Sequence, residues 1–537
     1  MIEISEKVML QLFWTAGLIV ISSVVILIEK LWWKPYRIRS VLEKQGIKGP
    51  KPSFPFGNVS EMQNLQPQPP PNSDVKEAWV YSIFPYFHIW KQRYGPLYLY
   101  STGTKQHLYV EKGALVKDMA AHMAPDLGRP LYLNQALEPI FGDGVLRANG
   151  KTWVYQRNVI IAELFMSKIK KMLYSMEDSA MEIVKKWDKS IEENKGKTVD
   201  LVIEHDLKVL SEDILSKACF GSNYGEGKHV FERLGAMQTK LGTTSTLLGF
   251  FNLSFLSING NKEVWRMKKE VDVLITKMIN DREIQNKNKN DDEKPNDLLQ
   301  KIIESSKRDT TLNEKGFFKT KYDMNQLTID LCKNIYFAGS ESTALATTWA
   351  LWLIASYPEW QQRLRSEILE AFDYKLPHSF CEDGKLQKLK LLTMVIQESF
   401  RLYGPAVTNS RETFADMKFG DLLVPKGTYL WMFVPALHRD TDNWGPDAAE
   451  FKPERFANGL SKACKYPQAY IPFGFGSRNC LGQNFTMTEI KIALSLLLYH
   501  FSFEVSPDYR HCPVSNMLLI PKYGIRLLVT RLNHTKK

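Results

Sequence analysis

A single cysteine set in a glycine-rich loop at the mouth of a helix constrains this chain more than any other feature. Phe473-Gly474-Phe475-Gly476-Ser477-Arg478-Asn479-Cys480-Leu481-Gly482 runs into a helical pattern from about Asn484 to Tyr499. A thiolate there gains from the positive end of the helix, and N–H groups freed by glycines can hydrogen-bond its sulfur. Glycines also let the backbone approach a flat ligand closely. A phosphate-binding loop is excluded, because the Gly-x-x-x-x-Gly-Lys-Ser/Thr spacing is absent. The competing reading is an ordinary buried cysteine in a turn. Cys219, Cys332, Cys381, Cys464 and Cys512 are scattered, with none of the close pairs that a zinc site or a compact disulfide framework needs. This pattern implies a reducing compartment.

The second constraint lies at the other end. Val8 to Ile28 is uncharged over 21 residues, about 31 Å at helical rise, which matches the hydrocarbon core of a bilayer. Lys30, Lys34, Arg37, Arg39 and Lys44 follow it against Glu29 and Glu43. This excess of basic residues puts the bulk of the chain in the cytosol. The stretch exceeds the apolar region of a cleaved signal peptide, and no small-x-small site follows. Trp32 and Trp33 suit a membrane interface, and Gly49-Pro50-Lys51-Pro52-Ser53-Phe54-Pro55 reads as stiff and non-helical. The expected organisation is an anchor at 1–28, a basic, proline-containing hinge at 29–60, and a catalytic domain at 61–537.

The remaining chain, in a sequence that is 44% hydrophobic, has ample apolar material for one large core. No repeat divides it. Helical spacing appears at 165–195 and 200–220, and 325–356 is a long, largely apolar helix. Gln285 to Asp297 and Asp373 to Lys385 read as solvated connectors. Short β-type runs at Pro96–Val110, Tyr429–Val434 and Gly524–Val529 add a small sheet, so the fold class is mainly α with an α+β character. The net charge of +11 favours an anionic membrane surface or an acidic partner. Nucleic acid is not expected, because no basic run with interleaved aromatics accompanies the charge.

The pattern FxxGxRxCxG, filled by Phe473, Gly476, Arg478, Cys480 and Gly482, resembles the haem-binding signature of the cytochrome P450 family. Other motifs of that family follow in the expected order. Trp153-Val154-Tyr155-Gln156-Arg157 resembles the WxxxR element, which implies that Trp153 and Arg157 reach a haem propionate. Ala338-Gly339-Ser340-Glu341-Ser342-Thr343 resembles the oxygen-activation motif, an acid followed by an alcohol, with Ser342 where threonine is usual and Thr343 next. Glu398-Ser399-Phe400-Arg401 is similar to ExxR, and Pro453-Glu454-Arg455-Phe456 to PERF. The resemblance implies that Glu398, Arg401 and Arg455 form one buried network. By position, Arg411 and Arg478 are further propionate partners, and Phe337, Ala338, Ala406, Val407 and Met517 belong to the substrate pocket. Residues 39–50 look like the plant clan that oxidises gibberellins and triterpenoids.

The resemblance implies a P450 fold with one N-terminal transmembrane helix, residing in the endoplasmic reticulum membrane. It implies a haem-thiolate monooxygenase that inserts one oxygen atom from O2 into a hydrophobic small molecule, a gibberellin-type diterpenoid or pentacyclic triterpenoid. Electrons would come from NADPH through NADPH-cytochrome P450 reductase, docked on the basic side near Lys462, Lys465 and Arg478. Cys480 would push electron density towards O–O cleavage, with Glu341 and Ser342 or Thr343 positioning protons. Two alternatives keep the cysteine: a haem-thiolate isomerase or dehydratase acting on an oxidised lipid, and a non-catalytic haem-binding protein.

Overall fold

The structure is a computed structural model that describes residues 2–65, 78–122, 126–194, 196–221, 224–241, 258–287, 289–290, 293–308, 324–372, 380 and 384–532. Most of the expected connector at 373–385 lies outside the described residues, as do residues 288, 291 and 292 of the one at 285–297.

The apolar N-terminal stretch forms helix α1 (Ile2–Ile28). It continues through a π-turn at Glu29–Trp33 into α2 (Lys34–Lys44). From Leu12 to Ile28 its large apolar side chains are bare, with Phe13 at 77% and Trp14 at 66% exposure, so the helix could span a membrane. Within the first half of the segment read as a hinge, Ile38 and Leu42 of α2 are buried against the body. The non-helical stretch begins at Gly46.

Further helices build the body: α3 (Gly150–Ile161), α4 (Leu173–Glu193), α5 (Glu204–Phe220), α6 (Tyr224–Leu241) and α7 (Ile258–Asn286). They are followed by α8 (Met324–Ser356), α9 (Pro358–Ala371), α10 (Lys390–Tyr403) and α11 (Gln483–His500). Helix α8 is the axis. It is apolar nearly all round, as a helix surrounded by protein must be, and it packs against α5, α10 and α11. Its buried Lys333 is tolerated because Asp330 (2.7 Å) and Asp272 (2.8 Å) both pair with it.

A five-stranded sheet flanks the helices. Its strands are β1 (Leu97–Thr102), β2 (Lys105–Val110), β3 (Leu127–Gly128), β4 (Thr408–Thr413) and β5 (Tyr429–Phe433), in the order β1-β2-β5-β4-β3. Pairing of Gly128 with Glu412 brings Arg129 and Arg411, more than 280 positions apart in the chain, to the same edge. The expectation of a helix from residue 200 is corrected at its start. Thr198–Val202 is a strand that pairs with Arg526–Arg531, because this β-branched run finds a partner at the far end of the chain before α5 begins.

Candidate active site

Cys480 lies between a short 3-10 turn (Gly476–Arg478) and the first residue of α11. The loop closes on itself: Cys480 N–H donates to Phe473 O at 2.7 Å, and Gly474 N–H to Ile471 O at 3.0 Å. Gly476 has φ +63°, a left-handed conformation, and a Cβ there would meet Ala120 O at 3.3 Å. Phe473 packs on Phe400 with the rings tilted by 53° and their centres 4.8 Å apart. Cys480 is exposed, yet desolvation is the largest influence on its thiol and raises its pKa. Both hold for a side chain that faces a hollow inside the body. The Gly482 N–H and the Arg157 guanidinium act the other way and favour the thiolate.

Basic residues gather beside this loop. Arg157, on α3, donates to Asn479 O (2.9 Å) and Asn479 Oδ1 (2.5 Å), and so grips the residue next to Cys480. Trp153, one turn back, lies under both Arg478 (4.3 Å) and Arg157 (5.6 Å). Arg478 donates to Ala148 O (3.1 Å) and Asn149 Oδ1 (2.7 Å). Arg411, from β4, donates to Asn409 Oδ1 and Ser410 O and stands 4.7 Å from the Phe475 ring.

Arg129 was not singled out by the sequence, where Gly128-Arg129-Pro130 carries no motif. The structure places it with the others. Burial depresses the pKa of Arg129, Arg411 and Arg478, and Arg129 depresses both its neighbours by charge repulsion. None of the three has a carboxylate partner among the described residues. Arg411 is buried and the other two are half-buried, and desolvated cations packed together without an acid are expensive. They fit a ligand bearing more than one carboxylate, whose oxygens the planar guanidinium fork matches. Asn149 was also missed. Its Oδ1 accepts from Arg129 N–H (2.9 Å) as well as from Arg478, so one amide aligns two of the cations.

The middle of α8 packs against α11, the helix that Cys480 precedes. Ala338 is exposed and Ser342 half-buried, whereas the helix beyond Thr343 is buried. Ser342 Oγ donates back to Ala338 O at 2.7 Å. The two adjacent alcohols part company. Thr343 is buried, and its hydroxyl meets Gly339 O (3.2 Å) and Thr486 Oγ1 of α11 (3.1 Å). Glu341 lies 3.8 Å from Lys208 of α5. Phe337 sits edge-on to Phe141 at 4.9 Å. Val407 is buried, while Ala406 bridges to Leu518 beside Met517, a non-glycine residue held at φ +62°.

The three-residue network forms behind the loop. Arg401 donates twice to Glu398, at 2.7 and 2.8 Å, and to His438 O, Ala448 O and Glu450 O. Arg455 Nε lies 3.4 Å from Glu398 and its other nitrogens hold Asp447. The Lys452 N–H completes the shell around Glu398 at 2.8 Å.

Comparison of the sequence with known proteins gives the family. The family model described as Cytochrome P450 matches residues 80–529. The chain belongs to the cytochrome P450 family. It is 40% identical over 503 residues to Cytochrome P450 714A2 of Arabidopsis thaliana, covering 92% of this chain and 93% of the relative. Cytochrome P450 714C2 of Oryza sativa subsp. japonica is 40% identical over 513 residues, covering 94% of each. Cytochrome P450 714B2 of the same species is 34% identical over 549 residues, covering 99% and 98%. This is a plant cytochrome P450 monooxygenase, and its family binds haem through a cysteine thiolate. The residues present fit that group: one thiol facing inward and a cationic recess for its carboxylates.

Proposed function

We propose that Cys480 is the haem ligand of this cytochrome P450 and that the enzyme hydroxylates a terpenoid, a gibberellin-type diterpenoid or pentacyclic triterpenoid. The observation that carries the site assignment is the cluster of Arg411, buried, with Arg129 and Arg478, half-buried, mutually repelling and without a carboxylate partner among the described residues, beside the loop of Cys480. These arginines would hold the haem carboxylates, with Trp153 supporting Arg478 from beneath. Haem, when bound, supplies the oxygen chemistry.

The chain's own residues do the rest. Arg157 draws the Cys480 thiol towards the thiolate and clamps Asn479. Ser342 offers its half-buried hydroxyl, where it can hold a proton-bearing water, and Glu341 stands one residue away, paired with Lys208 at 3.8 Å. Glu398, Arg401 and Arg455 hold the segments that carry the loop. Phe337, Ala338, Ala406 and Met517 present apolar surface suited to a terpenoid, with Val407 buried beside Ala406 as their support, and the likeness of residues 39–50 to the terpenoid-oxidising clan also favours that substrate. Residues 1–28 serve as the endoplasmic reticulum anchor, 29–60 as the connection and 61–537 as the catalytic domain, with NADPH-cytochrome P450 reductase delivering electrons.

Two measurements test this reading. Cys480→Ala should abolish the thiolate-type carbonyl spectrum of the reduced enzyme, and a spectrum unchanged from wild type would overturn the ligand assignment. Titration of the purified enzyme with gibberellins, pentacyclic triterpenoids, steroids and fatty acids should give a saturable spin-state shift with one terpenoid class. A shift confined to fatty acids would overturn the substrate assignment.

A further inference from the structure

Helix α10 ends inside the protein, so its last carbonyl groups need donors from elsewhere. Arg439 supplies one to Leu402 O at 2.9 Å. Arg401 O faces His438 Nδ1 at 3.2 Å, and on the opposite edge of the same ring Ile471 N–H reaches His438 Nε2 at 2.9 Å. A carbonyl can only accept and a backbone N–H can only donate. The two contacts therefore fix the tautomer, with hydrogen on Nδ1 and a lone pair on Nε2. The ring is fully buried, between Tyr470 (5.4 Å) and Trp444 (6.3 Å).

His438 thus holds α10 in two ways. Its ring donates to Arg401 O, and its own carbonyl accepts Arg401 Nη1 at 2.7 Å. The third contact passes to the segment that leads to Cys480. From Ile471 the route is short: Ile471 O accepts from Gly474, and Phe473 O accepts from Cys480. Tyr470 OH ties the same segment to Gln397 O, one turn before Arg401, at 2.8 Å.

We propose that His438 is a positioning residue, a splint that carries the rigidity of the Glu398–Arg401 helix to the Cys480 loop and so sets how the thiolate meets the haem. This rests on the assignment of Cys480 as the haem ligand. The ring suits the task because it stays neutral. Desolvation, helped by Arg401 and Arg439, brings its pKa down to about 3, so neither contact changes over the pH range in which the enzyme works.

The test uses the full-length, haem-loaded enzyme and two amides that each imitate one ring nitrogen. His438→Gln can place an oxygen where Nε2 stands and keep the Ile471 contact, whereas His438→Asn can place nitrogen only where Nδ1 stands and loses it. After reduction under carbon monoxide, the Gln variant should keep the thiolate-type spectrum. The Asn variant should show a roughly fivefold larger share of thiol-type absorption, the equivalent of one hydrogen bond. An Asn variant indistinguishable from wild type, or a Gln variant that shifts as far as Asn, would overturn the proposal. If neither variant accumulates with haem, Ile471→Pro deletes the donor and leaves the imidazole; retention of the wild-type spectrum there is equally fatal. Cys480→Ala, run alongside, separates the two claims. A carbonyl spectrum that survives it removes the ligand assignment, whereas its loss together with an unshifted Asn variant removes only the splint.

Discussion

Ser342 and Thr343 carry the same functional group one position apart, and helical geometry sends them to different neighbours. Ser342 is half-buried with its proton lent to Ala338 O, while Thr343 is buried against Thr486. Ser342→Ala should therefore leave the carbonyl spectrum intact while electrons are consumed with several-fold less product, a ratio read by comparing NADPH oxidation with product formed. Equal coupling in wild type and variant would exclude Ser342 from proton handling. Glu489 shows a different use of burial. It is enclosed on α11, its Oε2 lacks a hydrogen-bond partner among the described residues, and desolvation raises its pKa to about 8 from 4.5. Above about pH 4.5 the unfolded chain has released this proton, while the folded one retains it up to about pH 8. Stability should then fall across that window by about 1.4 kcal/mol per pH unit at most, and level off above it. Glu489→Gln should flatten that slope, as measured by denaturation midpoints between pH 5 and 9. An equal slope in the variant would assign the pH dependence elsewhere.

At the scale of elements, α8 does more than line the hollow. Asn334 accepts Leu146 N–H at 2.9 Å and donates to Phe141 O at 2.7 Å, and Asp330 accepts Asp143 N–H at 2.8 Å. The approach is so close that a Cβ on Gly144 would lie 2.2 Å from Asn334 Nδ2. Segment 141–149 is stapled to the central helix in this way, and it ends at the Asn149 that aligns Arg129 and Arg478. Asn334→Ala leaves one buried and one half-buried backbone group unpaired and should cost about 2–4 kcal/mol. The loss should appear as a lower unfolding midpoint and weaker haem retention; an unchanged midpoint would refute the staple. None of this was legible in the sequence. Residues 325–356 announced a helix because their apolar character is continuous, and Cys480, Glu398, Arg401 and Arg455 stood out because their motifs are local. Arg129, Asn149 and His438 derive their surroundings from partners up to about 330 residues away, which no spacing rule encodes. The strand at 198–202 was missed for the same reason: its partner is the C-terminal strand.

The whole molecule is a helical body with a sheet at one side and a long bare helix leading away from it. That helix does not end where its apolar residues end. It continues from α1 through Glu29–Trp33 into α2, whose Ile38 and Leu42 are packed into the body and whose Arg39 holds Pro50 O at 2.9 Å. Gln45 pins the end of α2 to the backbone of Leu423 by two hydrogen bonds of 2.8 Å. Once α1 is in a bilayer, the body is coupled to it as to a lever arm. Tilt or rotation of the shaft turns the hollow with it, so the angle at which the pocket meets the lipid surface becomes a mechanical property of the chain. Replacing Glu29–Trp33 with five glycines should leave membrane attachment intact and broaden the distribution of haem-plane tilt in oriented bilayers, measured by linear dichroism. An equally narrow distribution would show that contacts other than the shaft fix the attitude of the enzyme on its membrane.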